Sequence, residues 1–326
     1  MSLDGKSILV TGGTGTFGQA FVEYVLEHYS PERLIVFSRD EFKQYEMRQR
    51  FDGGPMRYFL GDVRDLERLR MAFRPVDIIV HAAALKHVPS GETNPIEVIK
   101  TNIGGAQNVI TAAIEAGVER VIALSTDKAV NPVNLYGSTK LCAEKLFVGA
   151  NGLSGDGGTK FSVARYGNVA NSRGSVIPFF QKLAAQKRSI PITDVNMTRF
   201  FILIERAVEF VVERLGDMLG GEIFIPKAPS VRILALAGTI CGERFPWYEI
   251  GVRPGEKINE ILLSADEAAH SVDFGDFFAI EPESEWWGMP WPMVREEAPC
   301  AYSSDDNPHV LNRKGIKEML DGFDKA

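Results

Sequence analysis

Short apolar runs punctuate the first half of the chain: Ser7–Val10, Leu34–Phe37, Arg57–Leu60, Ile78–His81, Val121–Leu124 and Phe161–Ala164. Between them lie segments of helical character, Phe17–Tyr29, Glu41–Phe51, Leu66–Phe73, Pro95–Ala116 and Tyr136–Ala150. Strands this short and this apolar are buried on both faces, and their alternation with helices predicts a parallel sheet. The expected fold is α/β, a Rossmann-type doubly wound parallel sheet that holds nucleotide where the strand order reverses. A chain of 326 residues has room for that sheet and a smaller companion.

After about residue 170 the alternation loosens. Ser175–Lys187, Glu205–Leu215 and Val231–Ile240 read as helices, and Ile190–Ile192 and Glu222–Ile225 as strands. Gly152–Gly158 reads as a loop, and Arg253–Lys257 as a loop entering a helix. The division expected is a nucleotide-binding domain over 1–170 and a substrate-binding α/β domain over 171–326 that shares some elements with the first.

A net charge of −7 argues against nucleic acid or an anionic membrane surface as partner. No apolar run approaches the roughly 18 residues of a membrane span, and a strand at residue 7 leaves no room for a signal peptide. Cys142, Cys241 and Cys300 are too few and too scattered for a disulfide framework or a zinc site, so a reducing cytoplasm is expected. The histidines form no HxH or HxxxH pair, and no metal is expected.

Gly12, Thr14, Gly15, Thr16, Phe17 and Gly18 form a glycine-rich turn between the first strand and the first helix. Such a turn offers free backbone N–H groups to a pyrophosphate. Ser38, Arg39 and Lys43 after the second strand make a small phosphate clamp suited to the 2′-phosphate of NADP, although Asp40 could serve the ribose of NAD. Asp62, next to Val63, is placed to accept from an adenine amino group or to cap a helix. Ala82 and Ala83 allow close passage of a cofactor, and Lys86 is either a diphosphate contact or a surface lysine.

Ser125-Thr126-Asp127-Lys128 closes the fifth strand, and Tyr136 and Lys140 follow on one face of the next helix. An ammonium beside a phenol lowers its pKa, so Lys140 is expected to ready Tyr136 to take a hydroxyl proton while hydride leaves the same carbon. A Thr126 hydroxyl can bond the substrate alcohol. Asp127-Lys128 supplies a second acid–base pair, unless it is a surface ion pair. Oxidation plus a further proton transfer points to oxidation followed by elimination. Arg173, Arg199 and Arg253 lie in turn-rich segments, where guanidinium forks suit phosphate oxygens.

These motifs together resemble a known family. The Gly-rich turn with Tyr136 and Lys140 looks like the extended short-chain dehydrogenase/reductases. Ala84–Pro89, Ser125–Ala129, Asn134–Cys142, Arg165–Val169, Arg173–Phe180, Met197–Phe200 and Arg253–Lys257 are similar, in order, to the C5-inverting UDP-N-acetylglucosamine 4,6-dehydratases of pseudaminic acid biosynthesis. The resemblance implies NADP as cofactor, a UDP-sugar (UDP-N-acetylglucosamine) as substrate and a homo-oligomer. It implies catalysis by Thr126, Asp127, Lys128, Tyr136 and Lys140, with Lys128 as base at C5 and Asp127 as acid. Cofactor contacts fall on the residues named above together with Tyr136, Lys140 and Val169. Substrate contacts fall on Lys86, Asn168, Arg173, Val176, Ile177, Thr193, Arg199, Arg253 and Glu256. C5-retaining dehydratases, which resemble an Asp-Glu pair at this place, and nucleotide-sugar epimerases are the alternatives on the same fold; an inert NADP-binding regulator is a third. Ser90–Pro95, Gly242–Tyr248 and the aromatic stretch Trp286–Trp291 depart from the family pattern.

Overall fold

The computed structural model describes residues 2–74, 76–155, 157–170, 175–242, 244–283, 296–297 and 301–322. Strands β1 (Ser7–Thr11), β2 (Arg33–Ser38), β3 (Met56–Leu60), β4 (Ile78–His81), β5 (Arg120–Thr126) and β6 (Lys160–Tyr166) fall on the runs read from the sequence. They are followed by β7 (Asn168–Val169), β8 (Ile190–Ile192), β9 (Thr198–Ile202), β10 (Ile223–Pro226), β11 (Ser230–Arg232), β12 (Trp247–Glu249), β13 (Ile261–Leu263), β14 (Ser271–Asp273), β15 (Phe277–Ile280), β16 (Glu296–Glu297) and β17 (Tyr302–Ser303). One large sheet has the order β3-β2-β1-β4-β5-β6-β10-β15-β14-β16. It is parallel from β3 to β10 and antiparallel beyond. The order reverses between β1 and β4, which opens the nucleotide crevice at the carboxyl ends of the strands.

Alternate residues along each strand feed opposite apolar layers. Leu9, Ile35, Ile79, Val121 and Phe161 pack under the helices Leu66–Phe73, Gly105–Ala116 and Leu135–Ser154. Ile8, Val10, Val36, Val80 and Ile122 pack on the other face under Thr16–His28 and Ile204–Asp217. The second of these helices comes from the later half of the chain, as do β10, β14 and β15. That half therefore completes the first half's sheet as well as building its own smaller core around Ile177, Phe180, Ile192 and Leu236.

Several boundaries differ from the sequence reading, each for a tertiary reason. Val231 belongs to β11, paired with β9, and the helix begins at Ile233. The segment after Arg253–Lys257 enters no helix; Leu262 and Leu263 are wholly buried in β13, which pairs with β17. The expected loop at Gly152 is still helix, which runs to Ser154 and stops at Gly155. Pro95–Ala116 is broken by a π-type turn at Lys100–Gly104. There the Asn102 side chain accepts from the Leu85 N–H (2.8 Å) and donates to the Leu85 carbonyl (3.0 Å). Such a widened turn commonly marks a functional position.

Candidate active site

A cleft of about 1640 Å³ runs along the carboxyl edge of the sheet, from the Gly12–Gly18 turn to Arg253–Lys257. Gly12 sits at φ +67°, and a Cβ there would lie 2.9 Å from the Ala83 backbone; a Cβ on Gly18 would lie 2.4 Å from Gly13 Cα. Only glycine permits this turn. The helix it opens, Thr16–His28, has Gly15 as N-cap and no side-chain cap, so its first N–H groups are left for a ligand. That cradle fits a dinucleotide pyrophosphate.

At the tip of β2 the Asp40 carboxylate caps the next helix, accepting from the Lys43 N–H at 3.0 Å and pairing with Lys43 Nζ at 3.0 Å. Those bonds hold its pKa below the ordinary carboxylate value. Arg39 remains half exposed, 3.8 Å from Asp62. Asp62 is bound by Arg64, while the cap of Leu66–Phe73 is Asp65. Burial opposes the Asp62 charge, but the Arg64 bonds prevail and lower its pKa.

Thr126 ends β5, and the chain turns at once through a short 3₁₀ segment, Asp127–Ala129. Asp127 is 0% exposed, so the surface ion-pair alternative fails. Its Oδ1 accepts from Thr126 Oγ1 (3.0 Å) and from Lys128 Nζ (3.0 Å); its Oδ2 has no hydrogen-bond partner among the described residues. Lys128 Nζ also faces Asn168 Oδ1 at 3.4 Å and Glu260 Oε1 at 3.3 Å. Burial works against its charge, yet Asp127 and Glu260 outweigh burial and raise its pKa above the ordinary lysine value. Lys128 therefore rests as an ammonium.

Tyr136 stands in the first turn of the helix Leu135–Ser154, whose Asn134 cap accepts from Gly137 N–H at 2.8 Å. Burial pushes the phenol up to about 12; Lys128 and a Thr126 hydrogen bond pull it down, and Asp127 adds to the rise. The nearby cation that lowers this pKa is Lys128, which corrects the sequence expectation for Lys140. Lys140 is 6% exposed and donates to the Leu124 carbonyl at 2.6 Å. Burial lowers its pKa to about 8, against the pull of Glu144. Ser125 Oγ and Thr101 Oγ1 are buried without a partner among the described residues.

The cleft is lined by Gly12, Thr14, Gly15, Thr16, Phe17, Gly18, Ser38, Arg39, Lys43, Asp62, Val63, Ala82, Ala83 and Lys86. Further along it come Thr126, Lys128, Tyr136, Lys140, Asn168, Val169, Val176, Thr193, Arg199, Arg253 and Glu256. Asp127 lies behind Lys128. Ile177 does not reach the cleft: its side chain is 0% exposed, inside the smaller core. Arg173 and Trp286–Trp291 lie outside the described residues. Trp247 and Tyr248 are exposed on β12, which pairs in parallel with β8.

The sequence reading missed Glu260. It is 2% exposed and lines the same cleft, with Lys128, Arg199 (3.7 Å) and Lys257 (3.9 Å) around its carboxylate. Its one local signal is a charge immediately before the apolar run Ile261–Leu263. Among the described residues there is no cluster of three or more metal-ligating side chains, and no helix long and apolar enough to cross a membrane.

Residues 8–282 match the model of a family described as polysaccharide biosynthesis protein. The chain is 50% identical to the UDP-N-acetylglucosamine 4,6-dehydratase (inverting) of Campylobacter jejuni, over 97% of this chain and 98% of that one. It is 38% identical to the UDP-glucose 4-epimerase of Rickettsia felis, over 98% and 96%. The X-ray structure of Pen from Bacillus thuringiensis superposes with a TM-score of 0.92 at 34% identity, covering all of both chains.

Proposed function

The chain belongs to the polysaccharide biosynthesis protein family, within the extended short-chain dehydrogenase/reductases, and from that premise we propose that it is an inverting UDP-N-acetylglucosamine 4,6-dehydratase. The product would be UDP-2-acetamido-2,6-dideoxy-β-L-arabino-hex-4-ulose, the opening intermediate of a pseudaminic acid-type route. One observation carries the reading: an acid–base pair, buried Asp127 with part-exposed Lys128, stands beside Tyr136 at the carboxyl end of β5. A 4-epimerase needs the Tyr–Lys redox pair alone. The same reading includes a homo-oligomer in the cytoplasm.

NADP is the cofactor we assign. The Asp40 carboxylate is committed to its helix cap and to Lys43, while Arg39 stands free enough to meet a 2′-phosphate. A bound oxidised nicotinamide supplies a hydride-accepting carbon and a positive charge that lowers the phenol's pKa. Tyr136 takes the C4 hydroxyl proton, and Thr126 orients the alcohol. The ketone formed at C4 acidifies the hydrogen on C5.

The resting Asp127–Lys128 ion pair must then exchange roles. One proton moves along their 3.0 Å hydrogen bond and leaves a neutral amine beside a carboxylic acid. Lys128 takes the C5 proton, the C6–O bond breaks, and Asp127 protonates the departing hydroxyl as water. The pair returns to its ionic form. The C4 hydrogen ends on C6, so no external oxidant or reductant is consumed. C5 then takes a proton from solvent on the face opposite Lys128, which gives inversion, and Tyr136 returns the C4 hydroxyl proton to solvent, so the protons balance.

Incubation with UDP-N-acetylglucosamine in deuterated water tests this. We expect loss of water by mass spectrometry, one deuterium at C5 and none transferred with the hydride to C6. Ring coupling constants should be those of the L-arabino 4-keto sugar. A D-xylo product at early times makes the enzyme a retaining dehydratase, and isomerisation without mass change makes it an epimerase.

A further inference from the structure

Glu260 touches the elimination pair from a part of the chain far from it in sequence. Its backbone is fixed on both sides: its N–H donates to Ser304 Oγ at 2.9 Å, and its carbonyl accepts from the Ser304 N–H at 2.9 Å. Its side chain turns inward. One oxygen lies 3.3 Å from Lys128 Nζ and 3.7 Å from Arg199 Nε; the other lies 3.9 Å from Lys257 Nζ and accepts no hydrogen bond among the described residues. A carboxylate this buried persists only with charges to compensate it, and here three cations do so.

An ammonium carries three N–H donors. Lys128 Nζ faces three acceptors, Asp127 Oδ1, Asn168 Oδ1 and Glu260 Oε1. Hydrogen bonds to Asp127 and Asn168 and the ion pair with Glu260 together hold the side chain in one place in the cleft. The 3.0 Å bond to Asp127 is the shortest of the three and the route for the proton exchange described above.

We propose that Glu260 is a positioning residue for the elimination step, holding Lys128 in its ammonium form between two carboxylates until the pair exchanges its proton. The inference rests on the dehydratase reading, and Glu260 itself touches none of the reacting atoms. Lys128 feels Asp127 and Glu260 as opposite charges, and Arg199, Lys86 and Lys257 as like ones, with Tyr136 at its side. Removing the Glu260 charge leaves the three like charges in place. Lys128 then loses its proton at lower pH, and the pair's shared proton is lost with it.

The test is Glu260→Gln. Competitive acetylation of Lys128 by acetic anhydride, read by peptide mass spectrometry between pH 7 and 10, needs no substrate. We expect Lys128 in the variant to react about tenfold faster than wild type at pH 9, the effect of a pKa about one unit lower. The alkaline limb of kcat for UDP-N-acetylglucosamine should move down by about the same unit, with a smaller change in KM. Glu260→Asp keeps the charge but withdraws it by one methylene, and should give an intermediate reactivity. It also serves if the Gln variant does not fold. A folded variant of either kind whose Lys128 reacts as in wild type overturns the proposal. If the labelling shifts but wild-type protein releases no water from the sugar nucleotide, the placement of Lys128 by Glu260 stands and the dehydratase reading falls.

Discussion

Lys140→Met should make the protein more stable and inactive. Lys140 is nearly inaccessible, and its pKa falls from 10.5 to about 8 on folding, chiefly by burial. The unfolded chain therefore holds a proton that the folded one gives up between about pH 8 and pH 10.5, so this group's contribution to stability rises with pH across that window. Below pH 8 the full penalty of burying the charge is present, on the order of 3 kcal/mol. By pH 9.5 it has shrunk to roughly 1 kcal/mol. Methionine keeps the unbranched stem and removes the charge; it also removes the bond to the Leu124 carbonyl, worth about 1–2 kcal/mol. The net gain at pH 7 is about 1–2 kcal/mol, a rise in Tm of roughly 2–6 °C for a chain of this size. Thermal unfolding by circular dichroism of nucleotide-free protein at pH 7 and pH 9.5 measures both quantities. The variant should melt above wild type at pH 7 and lose that advantage at pH 9.5. A variant that melts below wild type at pH 7, or a gap that does not change with pH, refutes the reasoning.

Arg39→Ala combined with Lys43→Ala should release NADP while leaving the melting curve of the nucleotide-free protein unchanged; NADP retained at wild-type affinity, by fluorescence titration, rejects the clamp. Tyr136→Phe should block 4-oxidation, so that neither keto sugar nor water loss is seen. Lys128→Ala should still reduce the cofactor, more slowly than wild type because the cation that lowers the Tyr136 phenol is gone, visible as absorbance at the nicotinamide band, and stall before water loss; full turnover in that variant removes Lys128 from the mechanism.

Strands β1, β2, β4, β5 and β6 were legible because each is a short apolar run that is buried on both faces, and β1 is 0–4% exposed along its whole length. Strand β3 is part-exposed, and β14, β15 and β16 were not read. The cleft was legible for a related reason: in a parallel sheet, whatever follows a strand's carboxyl end is delivered to one rim. Gly12, Ser38, Asp62, Thr126 and Asn168 all sit at such ends. The unread parts depend on partners distant in sequence. Trp247–Glu249 carries no burial pattern of its own and is a strand because β8 lies alongside it. Ile177 sits next to cleft-lining Val176, but helix rotation turns it into the core. Lys140 lies one helical turn from Tyr136, as its spacing requires, yet its ammonium is spent on the Leu124 carbonyl. Glu260 was invisible because the expected helix there is an irregular segment fixed by Ser304.

These long-range ties divide the chemistry between the two halves of the chain. Tyr136 and Lys140 stand on one helix of the first half. The elimination pair draws on both halves. Lys128 is set by Asp127 from its own turn and by Glu260 from the later half. The segment carrying Glu260 is fastened to the first half at two points. Asn134 Nδ2 donates to the Gly255 carbonyl at 2.8 Å, and Lys257 Nζ donates to the Val130 carbonyl. Within the later half, Arg199 adds bonds to the Lys257 and Ile258 carbonyls, both at 2.8 Å. Gly255 itself has φ +80°, and a Cβ there would come within 3.1 Å of Asn134 Cβ, so the fastening depends on close backbone approach. Arg253 and Glu256 line the cleft on this same segment. On the dehydratase reading, the stretch that meets the nucleotide diphosphate is thus continuous with the residue that sets the charge of the C5 base. A fold that only oxidised C4 would have no use for that continuity, whereas one that must also eliminate water needs its base held in a fixed charge state until the sugar is in place.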